Sequence, residues 1–205
     1  MKILHVITSL EIGGAQRLLA DLLPLQAISE DVSLLVYERV YNSFEETIDQ
    51  AGVKIICLNE HNFHNPSIIF RFRKLFKNYE LVHAHLFPTI YWASLAARGL
   101  KVKLIFTEHS TFNSRRNKSY FRLIERFMYG RYDKIISISH QTQEALTSWL
   151  RQYDERFVLI NNGVDTKKFA LVKTSVNPYS LIMVSRFANS KDQETVIRAM
   201  QFVDK

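Results

Sequence analysis

The sequence predicts an α/β fold built on a Rossmann-like, doubly wound and mostly parallel sheet. Short apolar runs rich in β-branched residues recur along the 205-residue chain, and most of them are continuous rather than alternating. Such runs are typical of strands that are buried on both faces. Longer segments with helical spacing of apolar residues separate them, and this alternation indicates βαβ units with parallel strands.

The apolar runs predict eight strands, at residues 2–8, 32–37, 53–58, 81–85, 102–107, 134–139, 157–160 and 180–185. Apolar residues at helical spacing predict seven helices, at residues 15–27, 43–51, 66–78, 88–98, 117–130, 141–150 and 192–202. Ser139 stands just before the sixth helix, where a hydroxyl commonly caps the first turn.

The predicted elements divide the chain into three segments. Residues 1–162 hold the first seven strands, enough for one Rossmann-like domain. Residues 163–179 are polar, contain Gly163 and Pro178 and lack periodicity, as interdomain linkers do. Residues 180–205 offer one strand, a loop and one helix, which cannot bury a core alone. We therefore expect an extra edge unit, or the start of a second domain that is truncated.

Composition narrows the class of protein. Hydrophobic residues make up 47% and charged residues 23%, as in ordinary soluble domains, and the single cysteine excludes an internal disulfide. No run approaches the ~20 apolar residues of a membrane span, and the N-terminal run is too short for a secretion signal. A cytoplasmic protein is therefore expected.

The net charge of +7 is unevenly distributed. Between residues 115 and 134, seven Lys and Arg stand against two acidic residues, which suggests a nucleic acid, a phosphate-bearing substrate or an acidic membrane as partner. The helix at 117–130 has apolar residues on one side and Lys118, Arg122 and Arg126 on the other. This basic ridge is either a solvated face or a surface that attaches to the inner face of the membrane. No motif for base readout accompanies it, so no nucleic-acid partner is expected.

The first strand leads into a turn that contains Gly13 and Gly14. Ligands of doubly wound sheets bind at the carboxyl ends of the strands, so this turn is a candidate site. Glycine lets the backbone approach a ligand closely, and the start of the next helix offers N–H groups and a positive dipole end to an anion. The alternative is that the pair only makes a tight turn.

Two histidines, His83 and His85, end the fourth strand, and their i, i+2 spacing places both on one face. They resemble half of a metal site, but no convincing third ligand is evident, so no metal is expected. Packing at the end of the sheet, or lining a cleft, is the expected role.

Four polar residues follow the fifth strand at its carboxyl end: Glu108, His109, Ser110 and Thr111. Such a group directly after buried residues is typical of a site rather than a simple turn. The imidazole of His109 is able to polarise or hydrogen-bond a substrate hydroxyl. The alternative is a histidine that merely lies in a surface loop.

The sequence resembles glycosyltransferase family 4, whose members are retaining, nucleotide-sugar-dependent enzymes of the GT-B fold. Six blocks carry the resemblance in order and spacing: "HVITSLEIGGAQRLLADL", "VHAHLF", "IFTEHSTF", "YDKIISISHQTQEAL", "INNGVDTKKF" and "LIMVSRFANSKDQETVIRAM". Each block is weak evidence by itself, but six in order are specific. Together they cover nearly the whole chain.

The resemblance implies roles by position. By the resemblance, residues 1–162 correspond to the acceptor-side domain. The Gly13–Gly14 turn would then lie near the donor phosphates, and the catalytic His109 near the transferred sugar. Arg186 and Lys191 match the cation pair that holds the donor diphosphate and stabilises the leaving group, which is chemically reasonable because negative charge develops there. The interdomain hinge is matched by Asn162, Gly163 and Asp165. The remaining candidates for contact with the acceptor or the cleft are His83, His85, Glu108, Ser110 and Thr111.

The resemblance also implies what the chain lacks. The family's paired-glutamate motif, E-x7-E, has no counterpart after Lys191, where only Glu194 remains. We therefore expect a fragment, inactive alone, of a hexosyltransferase that transfers a sugar from a nucleotide diphosphate sugar without a metal or other cofactor. The basic, amphipathic helices predicted at 66–78 and 117–130 favour a lipid-linked or cell-envelope glycan as acceptor. The alternatives are a nucleotide-sugar 2-epimerase of GT-B architecture, and a non-catalytic accessory or membrane-docking subunit.

Overall fold

The computed structural model describes residues 1–167, 169, 180–185, 187 and 191–203. The chain forms two compact units, Met1–Asp165 and Thr166–Lys205. The first unit contains seven strands: β1 (Lys2–Ile7), β2 (Asp31–Val36), β3 (Lys54–Cys57), β4 (Leu81–His85), β5 (Lys103–Glu108), β6 (Lys134–Ser137) and β7 (Phe157–Leu159). Its six α-helices are α1 (Gly14–Gln26), α2 (Ser43–Gln50), α3 (Ile68–Phe76), α4 (Thr89–Ala96), α5 (Tyr120–Tyr129) and α6 (His140–Leu150).

The seven strands form one sheet in the order β3-β2-β1-β4-β5-β6-β7. Every neighbouring pair is parallel, which confirms the predicted Rossmann-like fold class. The strand order reverses between β1 and β4, because the chain builds outward from β1 in one direction and then returns to add β4 on its other side. In such sheets the crevice at this switch point is the usual ligand site.

The core lies on both faces of the sheet. One cluster packs α3, α4 and α6 against the strands and includes Phe72, Phe76 and Leu146. The other packs α1 and α2 on the opposite face and includes Leu19 and Ile48. Both faces are covered, which explains why the strand sequences are continuously apolar rather than alternating.

The spacing of its apolar residues predicts that helix α5 buries its apolar side. In the structure, most of that side is exposed instead. The helix follows a short 3-10 helix at Ser114–Asn117, and its fully buried residues are Glu125 and Tyr129. Its exposed side carries four large apolar residues, here called the outer face of α5: Tyr120 (56% exposed), Leu123 (72%), Ile124 (39%) and Phe127 (56%).

The orientation of α5 follows from the partners of Glu125. The buried carboxylate accepts hydrogen bonds from Trp149 Nε1 at 2.6 Å, Arg115 Nε at 2.9 Å and Tyr91 Oη at 3.1 Å. A buried carboxylate has to be paired and hydrogen-bonded, so these contacts turn Glu125 inward and the apolar side outward. Arg122, expected on the basic ridge, is half-buried with its guanidinium 5.1 Å from the centre of the Trp149 ring.

The second unit contains α7 (Gln193–Ala199), close to the predicted helix. Its first turn is capped by Asp192, which accepts from the backbone N–H of Thr195 at 3.3 Å. The strand predicted at 180–185 is not formed, and Ile182 and Val184 are 90% and 88% exposed. A strand requires a hydrogen-bonded neighbour, and no strand occurs among the residues of this unit that the structure describes. Most of the predicted linker, including residues 170–179, lies outside the described residues.

Candidate functional site

The switch point of the sheet lies between β1 and β4, and β5 is the next strand beside β4. The carboxyl ends of these three strands are therefore neighbours. After β1, the chain reaches Gly13, the residue before α1, and no side chain caps the first turn of that helix. The first turn also contains no acidic residue. Its backbone N–H groups and the positive end of the helix dipole are therefore placed to receive an anion.

The two predicted histidines of β4 have a third neighbour that sequence reasoning missed. His5 lies on β1 directly opposite His83, and His5, His83 and His85 are all buried. One ring nitrogen from each lies within 4.8 Å of the others. The expectation of no third imidazole is thus wrong, because parallel pairing of β1 with β4 joins residues 78 positions apart. The signal available in the sequence was His5 itself, a histidine inside the apolar run of the first strand.

His109 joins this cluster from the loop after β5. Its Nε2 lies 3.2 Å from His85 Nδ1, and His85 Nε2 lies 3.1 Å from His5 Nδ1. His5 Nε2 lies 2.9 Å from Oε1 of Gln26, the last residue of α1. We call this series, His109–His85–His5–Gln26, the imidazole chain.

His83 stands beside the imidazole chain rather than within it. Its Nε2 is 2.7 Å from Thr107 Oγ1 on β5. The ring centres of His83 and His85 are 4.2 Å apart with the ring planes tilted by 32°, so the two side chains are also in contact. His83 is therefore a packing neighbour of the imidazole chain, and its predicted role in the cleft stays a prediction.

Burial determines the charge of the four rings. Loss of hydration lowers the pKa of His5 to about 4 and that of His109 to about 4. The pKa values of His83 and His85 are held well below their usual range by burial first and then by repulsion from the neighbouring rings. All four imidazoles are neutral near pH 7, so each ring has one N–H donor and one acceptor nitrogen.

The other three polar residues predicted after the fifth strand have separate positions, and Glu108 is the last residue of β5 itself. The buried carboxylate of Glu108 accepts from Tyr129 Oη at 2.6 Å and pairs with Arg116 Nη2 at 3.4 Å, and burial raises its pKa. Through these two contacts, Glu108 fixes the start of the loop that follows β5. Ser110 and Thr111 are exposed on the same loop, and the Ser110 hydroxyl donates to the carbonyl of Phe112 at 2.6 Å.

Whether His5, His83 and His85 could bind a metal ion depends on the ring nitrogens that face one another. His5 Nδ1 and His85 Nε2 already share a hydrogen bond, so an ion at that point would have to displace it. Neither carboxylate nor thiolate belongs to the group of three imidazoles. The expectation that no metal is needed stays a prediction.

The predicted residues outside the sheet are only partly described. Asn162, Gly163 and Asp165 are exposed at the end of the first unit, whose boundary falls after Asp165. Lys191 is exposed in the second unit, and Arg186 lies outside the described residues. The hinge and the cation pair therefore stay predictions.

A comparison with family models decides the family. The model of Glycosyltransferase Family 4 matches residues 12–168, which is most of the chain. The chain belongs to glycosyltransferase family 4. A comparison of this family 4 chain with curated proteins gives no match.

Solved structures share the fold of this family 4 chain. HepE from Anabaena, in complex with UDP and glucose, aligns with a TM-score of 0.67 and 17% identity over 82% of this chain and 46% of its own. A glycosyltransferase from Rickettsia africae gives 0.61 and 19%, over 98% and 48%. UDP-GlcNAc 2-epimerase from Neisseria meningitidis, bound to UDP-GlcNAc, gives 0.55 and 16%, over 79% and 47%. The chain spans about half the length of each of these proteins.

The described part of the chain has no helix that is both long and apolar enough to cross a membrane. Of the three predicted membrane-surface residues, Lys118 and Arg126 are exposed, whereas Arg122 packs on Trp149. Three residues of the outer face of α5 lie between these two exposed cations in the sequence, and the fourth, Phe127, directly follows Arg126. This face was not predicted as an exposed surface.

Proposed function

We propose that this chain is the acceptor-side part of a retaining hexosyltransferase, which transfers a sugar from a nucleotide diphosphate sugar to a glycan acceptor. The family match over residues 12–168 carries this proposal. The position of the imidazole chain at the switch point supports it, since doubly wound sheets bind ligands there. HepE, which shares the fold, was solved with UDP and with UDP-glucose.

The proposed chemistry relies on fixed positive charge. The amides at Gly13 and Gly14, with the start of α1, face the donor phosphates, and Arg186 and Lys191 neutralise the charge that develops on the departing diphosphate. His109 contacts the transferred sugar. No metal or other cofactor takes part, so EDTA leaves the transfer rate unchanged.

We also propose that the 205 residues do not turn over alone, because the resemblance assigns essential donor contacts to a paired-glutamate motif that is not found after Lys191. The test compares this chain with the same chain extended through a complete donor domain. Sugar transfer is measured against a panel of nucleotide sugars. Transfer by the extended form only is the expected result. Absence of transfer with every donor tested would contradict the proposal.

The cation pair provides the sharper experiment in the extended enzyme. Arg186→Ala and Lys191→Ala are expected to lower kcat by about 10²–10³, as loss of a transition-state donor commonly does. Arg198→Ala is the matched control, because Arg198 is an exposed cation of the same unit that pairs with Glu194 at 2.5 Å on α7. Equal donor binding and turnover in all three variants would exclude the assigned role.

The outer face of α5 supports attachment to an anionic membrane, and with it a lipid-linked or cell-envelope acceptor on the cytoplasmic side. Exposed apolar residues beside Lys118 and Arg126 combine insertion into the interface with attraction to anionic lipid. We expect co-sedimentation with phosphatidylglycerol vesicles that Leu123→Gln weakens and Ile28→Gln does not. Ile28 is the control because it is 82% exposed in the turn that follows α1. Binding that is indifferent to Leu123 contradicts this attachment.

The shared fold with UDP-GlcNAc 2-epimerase favours epimerisation as the second candidate function. An epimerase that also hydrolyses its donor would use water to release free UDP and the epimerised sugar, without any acceptor. The family match favours transfer over epimerisation. Analysis of the sugar product in the absence of acceptor separates the two reactions. An accessory docking subunit would bind vesicles but give neither product.

A further inference from the structure

The imidazole chain has a polarity that the hydrogen-bond partners determine. Gln26 Oε1 is an acceptor, so His5 Nε2 carries the proton that lies between them. His5 is neutral and has only that one N–H, which leaves His5 Nδ1 as an acceptor. The proton between the first two rings therefore belongs to His85 Nε2.

The same reasoning extends to the end of the chain. His85 has its single proton on Nε2, so His85 Nδ1 accepts from Nε2–H of His109. His109 is then left with an unprotonated Nδ1, and the only hydrogen bond of its ring to a described residue is the one from Nε2 to His85. His109 is only half-buried, unlike the two rings behind it. The open end of the chain thus lies at the carboxyl edge of the sheet.

We propose that His5 and His85 are positioning residues that hold His109 in its Nε2–H tautomer, so that Nδ1 of His109 accepts a hydrogen bond from a hydroxyl of the bound sugar. The clause on the sugar rests on the proposed function. Gln26 sets the polarity from the far end of the chain, and three hydrogen bonds link it to His109. The low pKa values of the buried rings support this arrangement, because a proton added to any ring would break the donor order.

The arrangement has a consequence for recognition. A fixed acceptor nitrogen selects a group that donates, such as a hydroxyl, and disfavours a group that only accepts. A histidine free to change tautomer would bond either kind of group. The two buried rings therefore add selectivity to His109 without touching the sugar themselves.

The tautomers are measured directly by nitrogen NMR of the histidine rings in the 205-residue chain, with 15N-labelled histidine. We expect a single form of His109, with a protonated Nε2 and an unprotonated Nδ1. Gln26→Glu keeps an acceptor at this end of the chain and leaves that pattern intact. Gln26→Leu removes the acceptor and gives a mixture of the two His109 tautomers.

Thr107→Val is the matched control. It removes the partner of His83, which packs against His85 but does not belong to the chain. The His109 tautomer stays single in this variant if the chain is responsible, and becomes mixed if any loosening of the cluster is enough. His85→Phe is the stronger variant, and if it does not fold, the two Gln26 variants still decide the question.

Three results would overturn the inference: a protonated Nδ1 on wild-type His109, a mixture of tautomers in the wild-type protein, or an unchanged His109 in Gln26→Leu. A fourth is stoichiometric binding of added Zn²⁺ that shifts the His5, His83 and His85 signals, because the three rings would then be metal ligands.

Activity is measured separately in the extended enzyme. Gln26→Leu is expected to lower kcat/KM about tenfold, because the ordered hydrogen bond between His109 and the sugar is then lost in part. Gln26→Glu keeps the acceptor for His5 and is expected to have the kcat/KM of the wild type. If no transfer is ever detected, the proposed function fails while the NMR result still stands. If transfer occurs but Gln26→Leu has wild-type kcat/KM, the link from the chain to the sugar fails instead.

Discussion

Glu125 shows how one residue determines the orientation of a helix. Its carboxylate is fully buried and pairs with Arg115, and it also accepts from Trp149 and Tyr91. We predict that Glu125→Gln lowers the free energy of unfolding by about 3 kcal/mol, because the Arg115 charge then loses its partner in a mostly buried place. Urea denaturation followed by circular dichroism measures the change.

The control for that prediction is Glu144→Gln on the exposed side of α6. Exposed substitutions of this kind change stability by about 0.5 kcal/mol or less. Similar losses in the two variants would show that the Glu125 carboxylate does not depend on its buried contacts.

Neither Glu125 nor His5 was recognised as important from the sequence, and the reason is the same for both. Each depends on partners brought close by tertiary structure: Tyr91 and Trp149 for Glu125, and His85 for His5. Periodicity along the chain carries no information about such contacts. His109 was recognised because its position directly after a strand is a local property.

At the scale of elements, α6 is a helix whose N-cap the sequence correctly identified. Ser139 was expected to cap it, and its Oγ accepts from the backbone N–H of Thr142 at 3.1 Å. We predict that Ser139→Ala lowers the free energy of unfolding by about 1 kcal/mol, which is typical for loss of an N-cap hydroxyl. Thermal and urea unfolding of the purified chain measure the effect.

Ser148 provides the control within the same helix, because it is exposed and lies well inside α6. Ser148→Ala is expected to be neutral or slightly stabilising, since alanine has the higher helix propensity. A loss for Ser148→Ala as large as that for Ser139→Ala would mean that capping is not the cause.

Elements were predicted well where local pattern and tertiary context agree. The seven strands of the sheet were found because burial on both faces produces continuous apolar runs. The run at 180–185 has the same local pattern but pairs with no described strand, so its propensity alone does not make it one. The spacing in α5 correctly predicted a helix, yet the buried pair of Glu125 and Arg115 decided which side faces inward.

For the whole molecule, the buried histidines link folding to pH. A histidine has a pKa of about 6.5 in the unfolded chain. In the folded chain the pKa of His5 is lowered to about 4 and that of His109 to about 4, and those of His83 and His85 are held well below their usual value. Between these values the unfolded state binds protons that the folded state does not. Glu108 acts in the opposite sense because burial raises its pKa, but it is one group against four.

We therefore predict that stability is greatest above pH 6.5 and declines as the pH falls from about 6.5 toward 4. Each histidine contributes up to about 1.4 kcal/mol per pH unit to that decline. In urea titrations at several pH values, His83→Gln should reduce the slope by one such contribution, since one titrating group is removed. Thr107→Val disturbs the same contact without removing a titrating group, so it should lower stability equally at every pH. A wild-type stability that stays constant between pH 7 and pH 5 would contradict four neutral, buried imidazoles, because a constant stability requires the folded and unfolded states to bind the same number of protons in that range.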